Sequence, residues 1–365
     1  MRDANPEHPA ASTGPDRSTL IDRIAPTRAP EQAQVLWQTW ADLLFVHWEL
    51  PAEVLAPHLP RGLTLDTFEG RAFVGVVPFT MKDIRPVYLP AVPGISDFHE
   101  TNVRTYVHVE GRDPGVWFFS LDAASRLGVF LGRSWFKLPY HHARMDLVHG
   151  DGEIRHDTQR SADPQARCHA RYTPRGPVRT AEPGTLEHFL LERYILYTER
   201  GGALVQGRVH HTPYPFQDVA LHEFDETLVA AAGVTRPEGP PALRHYSSGV
   251  RVRIYPLTQV LGVSGGASGA GESFSVSSLA WMKASIGFLY HSGLKCGETG
   301  GTSGRRMDSN DQCFFRGAAL FSAAFSPAVP FAPSCTQRLS RSISSFVGLG
   351  SLGGILSNPS APMSA

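Results

Sequence analysis

The chain has 365 residues with 34 basic and 34 acidic side chains, so its formal net charge is +0, and 42% of its residues are hydrophobic. This balance argues against a nucleic-acid backbone as partner, and the length suffices for one large domain or two small ones. No apolar stretch reaches the roughly 18 to 20 uninterrupted residues of a membrane helix, so we expect no membrane partner either.

Composition divides the chain into three parts. Residues 1–32 are rich in Pro, Ser, Asp and Arg without periodicity, which predicts a disordered leader. Residues 33–258 carry patterned apolar runs and are predicted to form one folded domain. In residues 259–365 Gly, Ser and Ala dominate, as in the stretch SGGASGAGES, which predicts a poorly ordered tail.

The first half of the predicted domain alternates strand-like runs with turn signals. A strand contains LLFVHW, with His47 inside it, and Pro51 opens a short helix. The pair Glu69-Gly70 predicts the turn of a hairpin, and a proline-rich loop follows that hairpin. Next comes a central hairpin over residues 99–123, whose two strands flank a break at residues 111–115.

The second half continues with alternating runs over residues 133–150, 153–160 and 167–174. Apolar residues at three- and four-residue steps predict a helix over residues 185–200, with Thr185 as its N-cap. A strand ending in His210-His211, a short helix capped by Asp225 and a final strand over residues 249–257 complete the pattern. Many strands with few helices predict an α+β domain that is mainly antiparallel β.

The first strand of the central hairpin separates its side chains onto two faces, because strand side chains alternate. The apolar face, which we expect in the core, carries Val103, Thr105, Val107 and Val109. The opposite, polar face carries Glu100, Asn102, Arg104, Tyr106 and His108. Such a row suits the wall of a cavity or an ordinary solvent face, and the pattern alone favours the solvent face.

The chain lacks the strong motifs of cofactor and metal chemistry. No G-x-G-x-x-G, Walker, H-E-x-x-H or G-x-S-x-G string occurs, and the four cysteines show no CxxC spacing. The pairs His141-His142 and His210-His211 can each offer only one ligand to a site, since adjacent strand residues point apart. We therefore predict no metal and no cofactor. With no apolar segment of a signal peptide and no disulfide framework, we expect a cytoplasmic protein.

Several strings resemble the YqjF-like family of uncharacterised conserved bacterial proteins, which is similar in fold to acetoacetate decarboxylase. They are FVHW, ETNVRTYV, FFSLDA, LPYHHARM and SSGVRVRIYPL, and the resemblance covers about residues 33–258. It implies an acetoacetate decarboxylase-like β-barrel with a few packed helices and an interior cavity. It also favours Glu100, Asn102, Arg104 and Tyr106 as residues that line this cavity.

The resemblance does not bring the decarboxylase reaction with it. That enzyme forms a Schiff base through a lysine, whereas Tyr140 and His141 of KLPYHH stand where its lysine pair would be. We predict that the cavity binds a small organic acid, with Arg104 holding the carboxylate and Tyr140 or His141 moving protons. The alternative is a non-catalytic binding or scaffold module whose polar strand is structural. Glu100 and Arg104 could, for example, pair with each other and hold strands together. The oligomeric state stays open.

Overall fold

The computed structural model describes residues 21–92 and 96–260. The predicted leader is described only from residue 21, and the predicted tail only as far as residue 260, so the rest of both lies outside the described residues. Within residues 21–32, a short 3-10 turn spans Ala25–Thr27, and Arg23 forms an ion pair with the buried Asp66. The limits of the three predicted parts stay predictions.

Strands account for most of the described chain. They are β1 (Leu36–Leu50), β2 (Thr64–Leu65), β3 (Ala72–Pro86), β4 (Phe98–Val109), β5 (Arg112–Ala123), β6 (Tyr140–Gly150), β7 (Glu153–Arg160), β8 (Arg167–Arg179), β9 (Ile195–Arg200), β10 (Ala203–His210), β11 (Phe216–Glu226), β12 (Leu243–Ile254) and β13 (Thr258–Gln259). The α-helices are short: α1 (Ala52–Leu55), α2 (Arg126–Leu131), α3 (Leu186–Leu191) and α4 (Leu228–Ala231). None of the described helices has the length and apolar character needed to cross a bilayer.

The strand pairings close into two rings that share β12, β1, β3, β4 and β5. The smaller ring runs β10-β9-β5-β4-β3-β1-β12 and returns to β10, and the larger ring runs from β5 through β6, β7, β8 and β11 to β12. Neighbours are antiparallel except where β5 meets β6 and β9. The predicted fold class, α+β and mainly antiparallel, is confirmed.

Each ring encloses a separate group of buried side chains, because alternate residues of the shared strands point to opposite sides. The larger ring encloses Val46 and Val103 together with residues of β7 and β8, among them Cys168, Ala170 and Tyr172. Cys168 is therefore a core residue, as predicted. The smaller ring encloses Phe45, Val77 and Phe79 with residues that follow α3.

The two predicted hairpin turns are present, with one shift in position. Glu69-Gly70 and Glu110-Gly111 adopt positive φ at both residues, the backbone of the two-residue turns that suit the twist of a hairpin. The break in the central hairpin is thus shorter than the sequence suggested, and β5 already begins at Arg112.

The prediction of one helix over residues 185–200 was wrong. Thr185 does cap α3, since its Oγ accepts from the His188 N–H, but the helix ends at Leu191. The residues that follow form β9, which pairs with β10 and with β5 through Leu196 and Tyr197. β-Branched and aromatic residues suit a strand that fills the sheet between two neighbours, and this tertiary pairing overrides the helical spacing.

The cap predicted for the short helix near residue 228 was also wrong. Thr227, not Asp225, precedes α4, and the Val229 N–H donates to the Glu226 carboxylate. Asp225 pairs instead with Arg167 on the neighbouring strand β8.

Candidate functional site

The inward row of β4 lies inside the smaller ring. Glu100, Asn102, Arg104 and Tyr106 are all at least nine-tenths buried. The sequence pattern alone favoured a solvent face for this row, and that interpretation was wrong. The row is covered because the ring closes through β9 and β10, and because α3 packs against Tyr106 through Phe189.

Arg104 is a buried cation without a carboxylate partner. Its Nη2 donates to the Leu190 carbonyl over 3.1 Å, and its guanidinium carbon lies 5.5 Å from the Phe45 ring centre and 5.7 Å from that of Tyr106. Its Nε has no hydrogen-bond partner among the described residues. None of the described carboxylates forms an ion pair with Arg104, so the suggested pair of Arg104 with Glu100 was wrong.

His47 belongs to the same cluster through Tyr106. The Tyr106 hydroxyl donates to the Leu190 carbonyl over 2.9 Å and lies 2.7 Å from His47 Nε2. With the single phenol hydrogen donated to the carbonyl, the proton that links His47 to the phenol oxygen lies on His47 Nε2, and we assign this tautomer. Burial, then the positive charge of Arg104, lowers the pKa of His47 well below its usual value. The neutral ring therefore leaves Nδ1 with a free lone pair.

Gly75 of β3 makes this arrangement possible, because it pairs with His47 on one side and Arg104 on the other. A Cβ at this position would lie 2.9 Å from His47 Cδ2 and 3.7 Å from Arg104 Cγ. The side chains of His47 and Arg104 therefore occupy the space that a side chain at position 75 would fill.

Replacing Gly75 with alanine is expected to push His47 away from Tyr106 and to lower the free energy of unfolding by about 1–3 kcal/mol, the usual cost of overpacking. Gly150→Ala is the matched control, since nothing lies within 4 Å of a Cβ there. Chemical denaturation of both variants measures the difference. Equal losses in the two variants would contradict this packing.

Glu100, on the same inward row of β4, forms a second cluster with Tyr140, the first residue of β6. The Tyr140 hydroxyl donates to Glu100 Oε2 over 2.7 Å, and the Asn102 side chain also hydrogen-bonds to this carboxyl group. Burial raises the pKa of Glu100 to about 8, although both hydrogen bonds act against this rise. At neutral pH Glu100 is thus mostly a carboxylic acid, which can donate a proton, while its carboxylate form can accept one.

His141 lies on the other side of its strand. Tyr140 and His141 are neighbours in β6, so one points to Glu100 and the other away from it. The imidazole is half-buried, and burial, then the charge of Arg160, lowers its pKa. The structure therefore brings Tyr140 together with Glu100, Asn102, Arg104 and Tyr106, but leaves His141 outside this group.

Little in the sequence indicated that His211 lies within electrostatic reach of Arg104. Its ring stacks on Tyr194 with centres 4.4 Å apart, and lies 4.6 Å from the ring centre of Tyr214. Tyr214 in turn lies 5.3 Å from Phe45, the ring beneath the Arg104 guanidinium. The only signal was the pair His210-His211, whose second member comes directly after β10.

No candidate metal centre appears within residues 21–92 and 96–260, where no three His, Cys, Asp or Glu side chains are grouped to hold an ion. His210 accepts a hydrogen bond from Arg253, and the His211 ring stacks on Tyr194 and contacts the tilted ring of Tyr214.

A protein-family model, DUF2071, matches residues 37–251 and is described as an uncharacterized conserved protein. The chain belongs to this family. It is also 39% identical to the uncharacterized protein YqjF of Bacillus subtilis (strain 168) over 228 residues, which are 62% of this chain and 93% of that protein. The resemblance that the sequence strings indicated is confirmed.

Solved structures similar to this DUF2071 protein include an acetoacetate decarboxylase from Legionella pneumophila, at 12% identity and a TM-score of 0.44, covering 68% of this chain and 98% of that one. An acetoacetate decarboxylase-like enzyme from Sphingomonas wittichii RW1 matches at 15% identity and a TM-score of 0.44, with 64% and 95% covered. The enduracididine biosynthesis enzyme MppR complexed with pyruvate matches at 13% identity and a TM-score of 0.44, with 64% and 93% covered. Likenesses this distant assign neither substrate nor mechanism.

The lysines of the DUF2071 domain are poorly placed for imine chemistry. Lys82 and Lys137 are both exposed, and Lys82 lies 3.9 Å from an Asp42 carboxylate oxygen. A lysine nucleophile needs burial or a close cation to lower its pKa.

We expect no Schiff base at either lysine. Incubation with acetoacetate or pyruvate followed by borohydride should leave both residues unmodified in a peptide mass map. A stable adduct on Lys137 would contradict this expectation and restore the decarboxylase mechanism.

Proposed function

We propose that this protein binds a small organic acid inside the smaller ring, with the Arg104 guanidinium as the anchor for its carboxylate. The observation that carries the proposal is the burial of Arg104 without a carboxylate partner among the described residues. A buried charge is costly unless it is paired, so proteins seldom keep one without a use for it. A ligand carboxylate would supply the missing charge and charge-assisted hydrogen bonds.

The surroundings of Arg104 suit a small molecule with an apolar part. Phe45, Val77 and Phe79 contribute apolar surface to the same interior. Asn102 and Glu100 follow Arg104 along the inward row at two-residue steps, which are about 7 Å each in a strand. If the bound acid reacts, Glu100 is the group in this row that could give a proton to it or take one from it.

One observation favours a second candidate, a scaffold without a ligand. Arg104 and Tyr106 both donate to the Leu190 carbonyl, near the end of α3, where carbonyls lack helical partners. In this role Arg104 would fasten α3 to β4. The two candidates differ in one respect, because only the first requires an anion next to the guanidinium.

Titration calorimetry with matched acids and amides separates the two candidates. We expect 3-hydroxybutyrate and lactate to bind to the wild type and their amides to bind much more weakly. Arg104→Met should weaken binding of the acids by about 10- to 150-fold, the equivalent of a charge-assisted hydrogen bond of about 1.5–3 kcal/mol.

Arg236→Met is the matched control. Its guanidinium also lies over an aromatic ring, 4.9 Å from that of Trp48, but it is already paired with the Glu226 carboxylate. This variant should bind the acids as the wild type does. Acids that bind no better than their amides, or equally well to Arg104→Met, would overturn the proposal and favour the scaffold.

A further inference from the structure

The hydrogen-bond state of His211 can be deduced from its surroundings. Its Nδ1 lies 2.7 Å from the Thr212 carbonyl oxygen, which can only accept, so Nδ1 carries the proton. Burial lowers the pKa of His211 to about 4, which keeps the ring neutral. Nε2 therefore presents a lone pair, and it is buried with no partner among the described residues.

His47 also has a buried ring nitrogen that lacks a hydrogen-bond partner among the described residues. In the tautomer assigned to His47, the Nε2–H donates to the Tyr106 oxygen, and Nδ1 is a buried acceptor without a partner in the described part of the chain. Asn102 Oδ1 is a third acceptor of this kind. Thus three buried atoms in this interior, on His47, His211 and Asn102, can accept hydrogen bonds and receive none from described residues.

These acceptors face the same interior as the Arg104 guanidinium. His47 and Arg104 lie side by side over Gly75. A continuous row of rings leads from the guanidinium over Phe45 to Tyr214 and His211. The positive charge of Arg104 contributes to lowering the pKa of both histidines, which places both within its electrostatic reach.

A bound acid that satisfies these acceptors needs a hydrogen-bond donor in addition to its carboxylate. A keto acid offers only acceptor oxygens, so it would leave the lone pairs of the histidines and the amide unsatisfied in a buried site, at a cost in affinity. A hydroxyl group supplies the donor that these atoms lack. An ammonium group also donates, but its positive charge would face the guanidinium.

We propose that the ligand is a hydroxy acid, with its carboxylate on Arg104 and its hydroxyl group donating to His211 Nε2 or His47 Nδ1. This inference rests on the proposed function and narrows its ligand class. It predicts selection against the keto acid of the same carbon skeleton, because sites built to pair with a hydroxyl group reject analogues that lack it.

Two matched pairs of probes test this selection in the wild type: lactate against pyruvate, and 3-hydroxybutyrate against acetoacetate. Each hydroxy acid should bind at least about tenfold more tightly than its keto partner. Alanine, the ammonium counterpart of lactate, should also bind more weakly than lactate. Keto acids that bind as tightly as hydroxy acids, with both dependent on Arg104, would overturn this inference and leave the proposed function standing.

Two variants of His211 test whether this residue causes the preference for hydroxy acids over keto acids. His211→Phe keeps an aromatic ring between Tyr194 and Tyr214 but removes the acceptor, so it should weaken binding of hydroxy acids and leave keto acids unchanged. His211→Gln restores an acceptor oxygen and should recover part of the preference. A preference that survives in both His211→Phe and His47→Phe would contradict the assignment.

Thermal unfolding first establishes that these variants fold. If neither phenylalanine variant folds, the comparison of hydroxy and keto acids in the wild type decides the question alone. Absence of any binding that depends on Arg104 would refute the proposed function itself, together with the inference that rests on it.

Discussion

Arg160→Met is expected to lower the free energy of unfolding by about 3–5 kcal/mol, because it removes the partner of a buried charge. Arg160 Nε and Nη2 donate to the two oxygens of Asp122 over 2.8 and 3.0 Å. The Asp122 side chain is fully buried and that of Arg160 is 7% exposed. Without Arg160, the Asp122 carboxylate would remain in the interior without its cation.

Chemical denaturation measures this loss, and Arg112→Met supplies the control. Arg112 pairs with Glu110 at a similar distance of 3.0 Å, but both side chains are about two-thirds exposed, so its loss should stay under about 1 kcal/mol. Adding Asp122→Leu to Arg160→Met should recover much of the stability, since no lone charge is then buried. Similar losses in the two single variants would show that the Asp122 site is open to water.

The second large effect is a fall in stability with rising pH that originates at Glu100. Its pKa is about 8 in the folded protein and close to the ordinary value of 4.5 when the chain is unfolded. Between these values the unfolded chain releases a proton that the folded protein retains. Stability therefore falls by about 1.4 kcal/mol per pH unit in this window, and the contribution is constant outside it.

Glu100→Gln should remove this fall, because an amide does not titrate. The difference in unfolding free energy between variant and wild type, measured by denaturation at successive pH values, should shift in favour of the variant as the pH rises. Glu223→Gln serves as control, since hydrogen bonds from Arg171 lower the pKa of that exposed carboxylate. A difference between Glu100→Gln and wild type that stays constant with pH would contradict the burial of an ionisable Glu100.

The alternation in β4 could be predicted from the sequence, but the burial of its polar face could not. A row of Glu, Asn and Arg looks the same whether water or a second layer of protein covers it. Closure depends on pairings between distant segments, such as β10 with β12, where Val209 meets Ile254. Only the family resemblance favoured an interior position for Arg104.

The misassigned helix over residues 185–200 hid the residues on the other side of the proposed site. Helical spacing made Tyr194 and Tyr197 look like one face of a helix. In the structure the chain turns after Leu191, and Tyr194 reaches the interior to stack on His211. A histidine that reaches such an interior from a distant segment carries no local signal, so His211 could be noted only as one of a pair.

Glu100 and Tyr140 show that sequence motifs indicate residue types and strand positions but not the contacts between strands. Their types and strand positions were visible in E-x-N-x-R and LPYHH, but their direct contact was not. The sequence allowed a pair between Glu100 and Arg104, four residues away on the same strand. In the structure the strand keeps them apart, and the carboxyl group meets the hydroxyl group of a different strand.

The central claim is that the buried guanidinium of Arg104 anchors a carboxylate. A crystal structure of the protein soaked with 3-hydroxybutyrate tests it most directly. We expect the ligand inside the smaller ring, with its carboxylate oxygens about 2.7–2.9 Å from the Arg104 nitrogens. An interior filled by side chains and water, with Arg104 still bound only to the Leu190 carbonyl at saturating ligand, would contradict the account.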